Sequence, residues 1–152
     1  MRFTIRQAKI KDLLKTLDWA NEKETISNSI NRTKKVSLKE HSKWFKKYIK
    51  SKYNLIFIAQ LKNEPIGMVR IDYKKKDLVL SYLIDKKKRK KGLGFEMLKK
   101  IIKKFTTKSL KTSFKAQVKS NNLASNAIFV KLGFKKIYFN RNKKVFSYKL
   151  SL

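Results

Sequence analysis

The chain contains no cysteine and a single histidine. Without cysteine there is no disulfide framework, no cysteine nucleophile and no cysteine-ligated zinc, and a cytoplasmic, non-secreted protein is expected. One histidine is too few for a conventional metal site, so no metal is expected. No apolar run reaches the length that spans a bilayer, so no membrane association is expected. The N-terminal stretch Met1-Arg2-Phe3-Thr4-Ile5-Arg6 lacks the apolar core of a secretion signal. Acidic residues are also scarce: ten face 41 basic ones, for a net charge of +31. At 152 residues the chain reads as one domain, residues 1–152, long enough to bury a core.

Such a charge invites a nucleic-acid reading, but its makeup points elsewhere. Only Arg2, Arg6, Arg32, Arg70, Arg89 and Arg141 are arginines, so 35 of the 41 basic residues are lysines. Arginine is the residue that forks onto bases and phosphates. The lysines are spread through every segment, which describes a solvated surface rather than a footprint. No specific nucleic acid is expected, although anionic small molecules are drawn to such a field. A Lys-rich nucleic-acid-binding module remains the alternative from a different class, with Lys86–Lys91 as its strongest patch. The lysines at 74–76 read as an exposed hairpin tip.

Hydrophobic period gives the elements. Residues 2–8 alternate as a strand, with Phe3 and Ile5 on one face. Ile10, Leu13, Leu14 and Leu17 mark a helix ending near Trp19-Ala20-Asn21. Residues 22–37 are polar and weakly periodic, and read as an irregular connection with a turn of helix around Ile26–Ile30. Ser37 is the expected N-cap of a helix with Leu38, His41, Trp44, Phe45, Tyr48 and Ile49 on its stripe. A meander follows: a strand at Leu55–Ala59, a turn at Lys62-Asn63-Glu64-Pro65, a strand at Ile66–Tyr73, a reversal at 74–77 and a strand at 78–84. Next come a helix carrying Leu93, Met97, Leu98, Ile101, Ile102 and Phe105, a strand at Ser113–Val118 and a helix from Asn121 to Lys131 that Gly133 stops. Phe134–Phe139 and Val145–Leu150 complete the chain as strands joined at Asn140-Arg141-Asn142-Lys143. The order β-α-α-β-β-β-α-β-α-β-β predicts an α+β protein: a mixed, mostly antiparallel sheet flanked by helices.

Two of the four glycines fall in one loop, Arg89-Lys90-Lys91-Gly92-Leu93-Gly94, between the strand at 78–84 and a helix. Strand, basic glycine loop and helix N-terminus make a phosphate cradle. Glycine lets the backbone come close to an anion, and the free N–H groups of the first helical turn point at it. Two glycines in a loop are by themselves a weak signal. Position adds specificity: the loop follows a three-strand meander and precedes an amphipathic helix, and a later helix ends in Lys131-Leu132-Gly133-Phe134.

This combination resembles the GNAT superfamily of acyl-CoA-dependent N-acetyltransferases. Their pyrophosphate loop reads Arg/Gln-x-x-Gly-x-Gly/Ala, and their later signature is matched by Asn122-Leu123-Ala124-Ser125, Phe129 and Gly133-Phe134. The two motifs cover residues 78–134, and the element order matches over the whole chain. The resemblance implies a GNAT fold and acetyl-CoA as co-substrate. It assigns the CoA pyrophosphate to Arg89, Lys90, Lys91, Gly92, Leu93 and Gly94. Leu83, Ile84 and Asp85 would pair with the pantetheine arm like an added strand and present an N–H to the thioester oxygen. Asn122, Ser125 and Phe129 would line the cofactor arm; read without the resemblance, Asn122 is a helix cap and Ser125 a helix surface residue.

At position 129 the family often carries a tyrosine that protonates the departing thiolate, and a phenyl ring cannot donate a proton. Tyr138 and Tyr82 are the replacements to consider, with water as the remaining option. With no cysteine, the amine attacks the thioester directly and needs a base or water relay, for which His41, Glu40, Asp72 and Asp85 are candidates. On its own, His41 reads as a half-buried helix residue.

A narrower resemblance bears on the acceptor. Trp19-Ala20-Asn21, Ser37-Leu38-Lys39-Glu40-His41 with Trp44-Phe45, and Pro65-Ile66-Gly67-Met68-Val69-Arg70-Ile71-Asp72 are similar to a GNAT branch acting on nucleotide-linked amino sugars. That branch includes the enzyme of pseudaminic acid biosynthesis that acetylates the 4-amino group of a UDP-linked altrosamine derivative. It implies Trp19, Asn21, His41, Trp44 and Arg70 as acceptor-site residues and a nucleotide-linked sugar as the small-molecule amine acceptor; among the candidates for the chemistry itself, His41 and Tyr138 are taken as the catalytic residues. An arginine common in the branch has no match near Thr25, and Phe45 reads as core. A protein N-terminus or lysine is the alternative acceptor, although the first two helices are basic and suit a pyrophosphate better than a cationic peptide. The protein is expected to act as a monomer or homodimer.

Overall fold

In the computed structural model, which describes residues 2–107 and 113–152, one seven-stranded sheet carries helices on both faces. In chain order the elements are β1 (Thr4–Gln7), α1 (Leu13–Ala20), α2 (Lys23–Asn28), α3 (Leu38–Lys50), β2 (Leu55–Leu61), β3 (Glu64–Lys74), β4 (Asp77–Ile84), α4 (Leu93–Thr106), β5 (Ser113–Lys119), α5 (Leu123–Lys131), β6 (Lys135–Asn140) and β7 (Val145–Ser151). Single 3-10 turns at Ile10–Asp12 and Lys86–Lys88 precede α1 and the glycine loop. The strands lie in the order β1-β2-β3-β4-β5-β7-β6. Neighbours are antiparallel except β4 and β5, which are parallel. This is the mixed, mostly antiparallel sheet expected from the pattern.

Period-two alternation splits the core between the two faces. Val69 and Ile71 of β3 and Leu78, Leu80 and Ile84 of β4 meet Leu93, Met97, Leu98 and Ile101 of α4. On the opposite face Ile56, Ile58 and Met68 pack against Trp19 of α1 and Phe45 of α3. Each fully buried side chain of this size contributes about 1.5–3 kcal/mol. At one edge the Arg6 guanidinium grips the buried Asp12 with two bonds of 2.7 and 2.8 Å, tying β1 to the start of α1.

Three local expectations are corrected. Within 22–37, the turn of helix expected around Ile26–Ile30 forms earlier, as α2; it has no apolar stripe to announce its start and is begun by the Glu22 carboxylate, which accepts from the backbone N–H of Glu24 and Thr25. Pro65 belongs to β3 rather than to the turn. It sits opposite Gln60 where the register shifts between Ala59 and Gln60, a bulge that tolerates a missing N–H, and the turn is Lys62-Asn63 alone, both at positive φ. Leu38 lies at the start of α3 but is 53% exposed, so the buried stripe begins at His41. Ser37 caps that helix as expected, its hydroxyl accepting from the Glu40 N–H.

One irregularity places the site. β4 and β5 pair only at Asp77–Val79 with Ser113–Lys115, where Lys115 Nζ lies 2.7 Å from Asp77 Oδ2. Beyond that point β5 continues its pairing with β7 as far as Lys119, while Leu80–Ile84 of β4 have no partner strand on this side among the described residues. The sheet opens as a V.

Candidate active site

The V opens into a cleft of about 920 Å³, within the usual size of a ligand pocket. One half lies between β4, the glycine loop, α4 and α5. Asp85 ends β4 by donating its N–H to Ile66 O at 2.9 Å, and its carboxylate accepts from Lys87 N–H at 2.9 Å. Lys90 (φ 61°) and Gly92 (φ 72°) then turn the backbone through the left-handed region. A Cβ at Gly92 would meet nothing within 4 Å, so the loop is open above it. α4 starts immediately after, and the N–H groups of Leu93, Gly94 and Phe95 have no partners within the helix. Gly94 is needed for another reason: its Cβ would stand 2.9 Å from the Tyr82 ring.

On the α5 wall, Asn122 Oδ1 accepts from the Ser125 N–H at 3.3 Å, the geometry of a helix cap. The Tyr82 hydroxyl lies 2.7 Å from Ser125 Oγ. Burial pushes the Tyr82 phenol above its ordinary range, partly offset by that bond. Phe129 is 2% exposed, wedged among Tyr82, Phe134 and Tyr148, and lines the cleft. An unpaired strand edge, an open αL glycine and a free helix N-terminus fit a ligand with an anionic diphosphate and an extended amide arm.

The other half lies between α1, α2, α3 and the face of β3 that carries Met68, Arg70 and Asp72. The Arg70 guanidinium lies over Trp44 and Tyr48, 5.9 and 6.0 Å from the ring centroids. Its Nε is buried and 3.1 Å from Asp72 Oδ2, but off the hydrogen-bonding direction, so the two pair in charge without a hydrogen bond. The Tyr48 hydroxyl, whose acidity burial suppresses strongly, donates to Asp72 instead. The terminal nitrogens of Arg70 have no hydrogen-bond partner among the described residues. His41 is 4% exposed, with Nε2 2.9 Å from Thr16 Oγ1. Burial holds its imidazole below the ordinary value of 6.5; Leu13 O acts against that shift and the Arg32 charge adds to it.

The cleft thus brings together His41, Trp44, Arg70, Leu83, Ile84, Arg89, Lys90, Gly92, Leu93, Gly94, Asn122, Ser125 and Phe129. Five expected residues lie elsewhere. Trp19 is buried behind the wall and donates its indole N–H to Asp85 Oδ2 at 2.8 Å; the two therefore lock α1 to the end of β4. Burial opposes the Asp85 charge, but Trp19, Lys87 N–H and Lys15 together hold its carboxyl below the usual aspartate range. Asn21 bonds both the N–H and the carbonyl of Val36, at 2.8 and 2.9 Å, and so clamps the segment before α3. Lys91 does not line the cleft. Tyr138 is 61% exposed on β6, separated from β4 by β5 and β7, which is roughly 14 Å at the usual strand spacing.

Some residues were missed. Glu22 and Glu24 reach Arg89 at 2.6 and 2.5 Å, and Lys119 Nζ reaches Ser27 O at 2.8 Å, so α2 is tied to both sides of the V. No local pattern announces pairs this distant in sequence. Arg32 is pinned by the carbonyls of Ala20 and Lys34. Thr16 did leave a signal, a hydroxyl on the Leu13–Ala20 line of a helix otherwise apolar there.

The family model described as acetyltransferase (GNAT) domain matches residues 2–135. No curated protein matches the sequence. Among solved structures, a domain from Methanocaldococcus jannaschii superposes with a TM-score of 0.87 at 20% identity, over 99% of each chain. Spermidine N-acetyltransferase from Vibrio cholerae, solved with CoA and spermine, gives 0.85 at 17%, over 98% of this chain and 95% of that one. Ribosomal-protein-alanine N-acetyltransferase from Brucella melitensis gives 0.80 at 17%, over 98% and 99%. Among the described residues no helix is long and apolar enough to cross a membrane, and no group of His, Asp and Glu is placed to hold a metal.

Proposed function

Because the chain belongs to the GNAT acetyltransferase domain family and is an acetyl-CoA-dependent N-acetyltransferase, we propose that its acceptor is the primary amine of an anionic, nucleotide-linked amino sugar. The observation that carries this reading is Arg70. Its planar fork is propped on Trp44 and Tyr48 with its terminal nitrogens unpartnered, and such a fork suits a diphosphate better than an ammonium. Arg32 and Lys74 line the same half of the cleft.

Acetyl-CoA supplies the acyl group as a thioester. The loop from Arg89 to Gly94, with the first N–H groups of α4, holds its diphosphate, and Lys90 adds charge. The free edge of β4 from Leu80 to Ile84 pairs with the amide arm and sets the carbonyl at the mouth of the V. His41 takes the proton from the attacking amine. The Tyr82–Ser125 pair donates a hydrogen bond toward the departing sulfur, in the place where Phe129 has no hydroxyl to offer. Asn122 steadies the α5 wall and lines the arm.

A second acceptor reading, the α-amino group of a protein, has one observation in its favour: Glu40 is an exposed carboxylate on the cleft. An assay of acetyl-CoA consumption against UDP-linked 4-amino sugars, polyamines and peptides separates them. Turnover of a UDP-linked sugar, with a KM raised at least tenfold by Arg70→Ala, is the expected result. Turnover confined to peptides or polyamines would overturn it.

A further inference from the structure

We propose that Thr16 is a positioning residue for the reaction: it holds His41 as the Nε2–H tautomer and so leaves Nδ1 as the proton acceptor in the cleft. This rests on the reading of His41 as the base. The argument begins with a single hydrogen atom. The Thr16 hydroxyl donates to Leu13 O at 2.9 Å, and a hydroxyl has only one hydrogen to give. Toward His41 Nε2, 2.9 Å away, it can therefore only accept, so Nε2 carries the proton.

Nδ1 is then the nitrogen with the free lone pair. Among the described residues nothing donates to it. It is not sealed either: the unpartnered buried side-chain atoms are Arg70 Nε and Ser113 Oγ, while His41 lines the cleft. The ring is fixed in place by Trp44 at 5.4 Å and by a stack on Phe45 at 5.9 Å. Neighbouring elements leave Nδ1 unprotonated near neutral pH. From α1 the contact is the uncharged Thr16, because Lys15 is turned to Asp85; the loop before α3 contributes Arg32, β3 the Arg70–Asp72 pair, and α3 itself Glu40. In the proposed step an N–H bond of the acceptor's ammonium form breaks and the Nδ1–H bond forms. The lone pair so freed attacks the thioester carbon, the C–N bond forms, and the C–S bond breaks with its electron pair leaving on sulfur as the CoA thiolate, which takes up the proton shed by the new amide nitrogen. The imidazolium keeps Nε2–H on Thr16 until Nδ1 returns its proton to solvent.

The chain has one histidine, so ring-15N-labelled, tag-free protein reports this group alone. In the wild type near pH 7.5 the ring is expected to show a protonated Nε2 and a bare Nδ1. Thr16→Val should move both nitrogens toward averaged tautomers, and Thr16→Ser should restore the wild-type pattern. A wild-type spectrum with Nδ1 protonated, or an unchanged ring in Thr16→Val, overturns the proposal; the wild-type spectrum decides the assignment even if that variant does not fold. With acetyl-CoA and a UDP-linked 4-amino sugar, Thr16→Val should lower kcat about tenfold while leaving the KM for acetyl-CoA unchanged, and Thr16→Ser should recover it. If His41→Gln turns over as fast as the wild type, the base reading fails, and the tautomer result then stands as structure without catalytic meaning.

Discussion

In the proposed mechanism Tyr82 takes a role that sequence comparison assigns to another position. Its hydroxyl is partly buried and bonded to Ser125, and its phenol is held above the ordinary range. A thiol titrates near 8.5, well below such a phenol, so the pair does not give up a proton to sulfur outright. In the proposed mechanism it stabilises the thiolate by donation. A hydrogen bond to a charged group contributes about 1.5–3 kcal/mol, so Tyr82→Phe should lower kcat about 10- to 100-fold. The melting shift produced by acetyl-CoA should survive the change; an unaltered kcat would remove Tyr82 from the reaction. His41 adds a pH dependence with a definite sign. Its folded-state value lies below 6.5, so between that value and 6.5 the unfolded chain binds more protons than the folded one. The group's contribution to stability is complete above 6.5 and disappears as pH falls through its folded value. Melting temperatures from pH 8 to 5 should therefore fall less steeply in His41→Gln than in the wild type, and kcat/KM should lose its acid limb in the variant.

At the scale of elements, α2 is the piece whose loss should be felt on both sides of the cleft. Glu22 caps the helix and also meets Arg89, so Glu22→Ala removes a cap worth about 0.5–2 kcal/mol. That should lower the melting temperature by a few degrees and weaken binding of CoA, as measured by calorimetry with CoA alone; unchanged CoA affinity would separate α2 from the cofactor loop. Gly92 tests the loop itself. A Cβ there has open space but the wrong φ, so Gly92→Val should cost about 1–2 kcal/mol while abolishing the melting shift with acetyl-CoA. Gly94→Val is the poorer probe, because it also drives into Tyr82. The same contrast explains what could be read from the chain. The meander, the apolar faces of α3 and α4, the Ser37 cap and the glycine loop rest on periodicity and local turn chemistry, which any short window contains. The cap of α2, the Trp19–Asp85 lock and the Arg89 clamp join residues that are far apart in sequence or lack a pattern. They follow from the sheet order, and so does the exclusion of Tyr138, which sits near the Gly133-Phe134 motif in sequence but at the far edge of the sheet.

For the whole molecule the governing quantity is charge, +31 over 152 residues. A field of one sign raises the local concentration of anions and lowers that of cations, and salt screens both effects. The screening length shrinks from about 30 Å at 0.01 M to about 8 Å at 0.15 M ionic strength. The direction of the salt effect therefore reports the charge of the acceptor independently of any pocket residue. For a UDP-linked amino sugar, raising salt over that range should increase the KM for the acceptor several-fold and leave kcat unchanged, with the KM for acetyl-CoA moving the same way. A polyamine or a cationic peptide would show the opposite trend, its KM falling as repulsion is screened. Arg70→Ala should remove a further, short-range part of the affinity that salt does not touch, because the guanidinium is half-enclosed by Trp44 and Tyr48. A KM for the sugar that is flat with salt would leave the surface charge without a part in catalysis, and would confine acceptor recognition to the cleft.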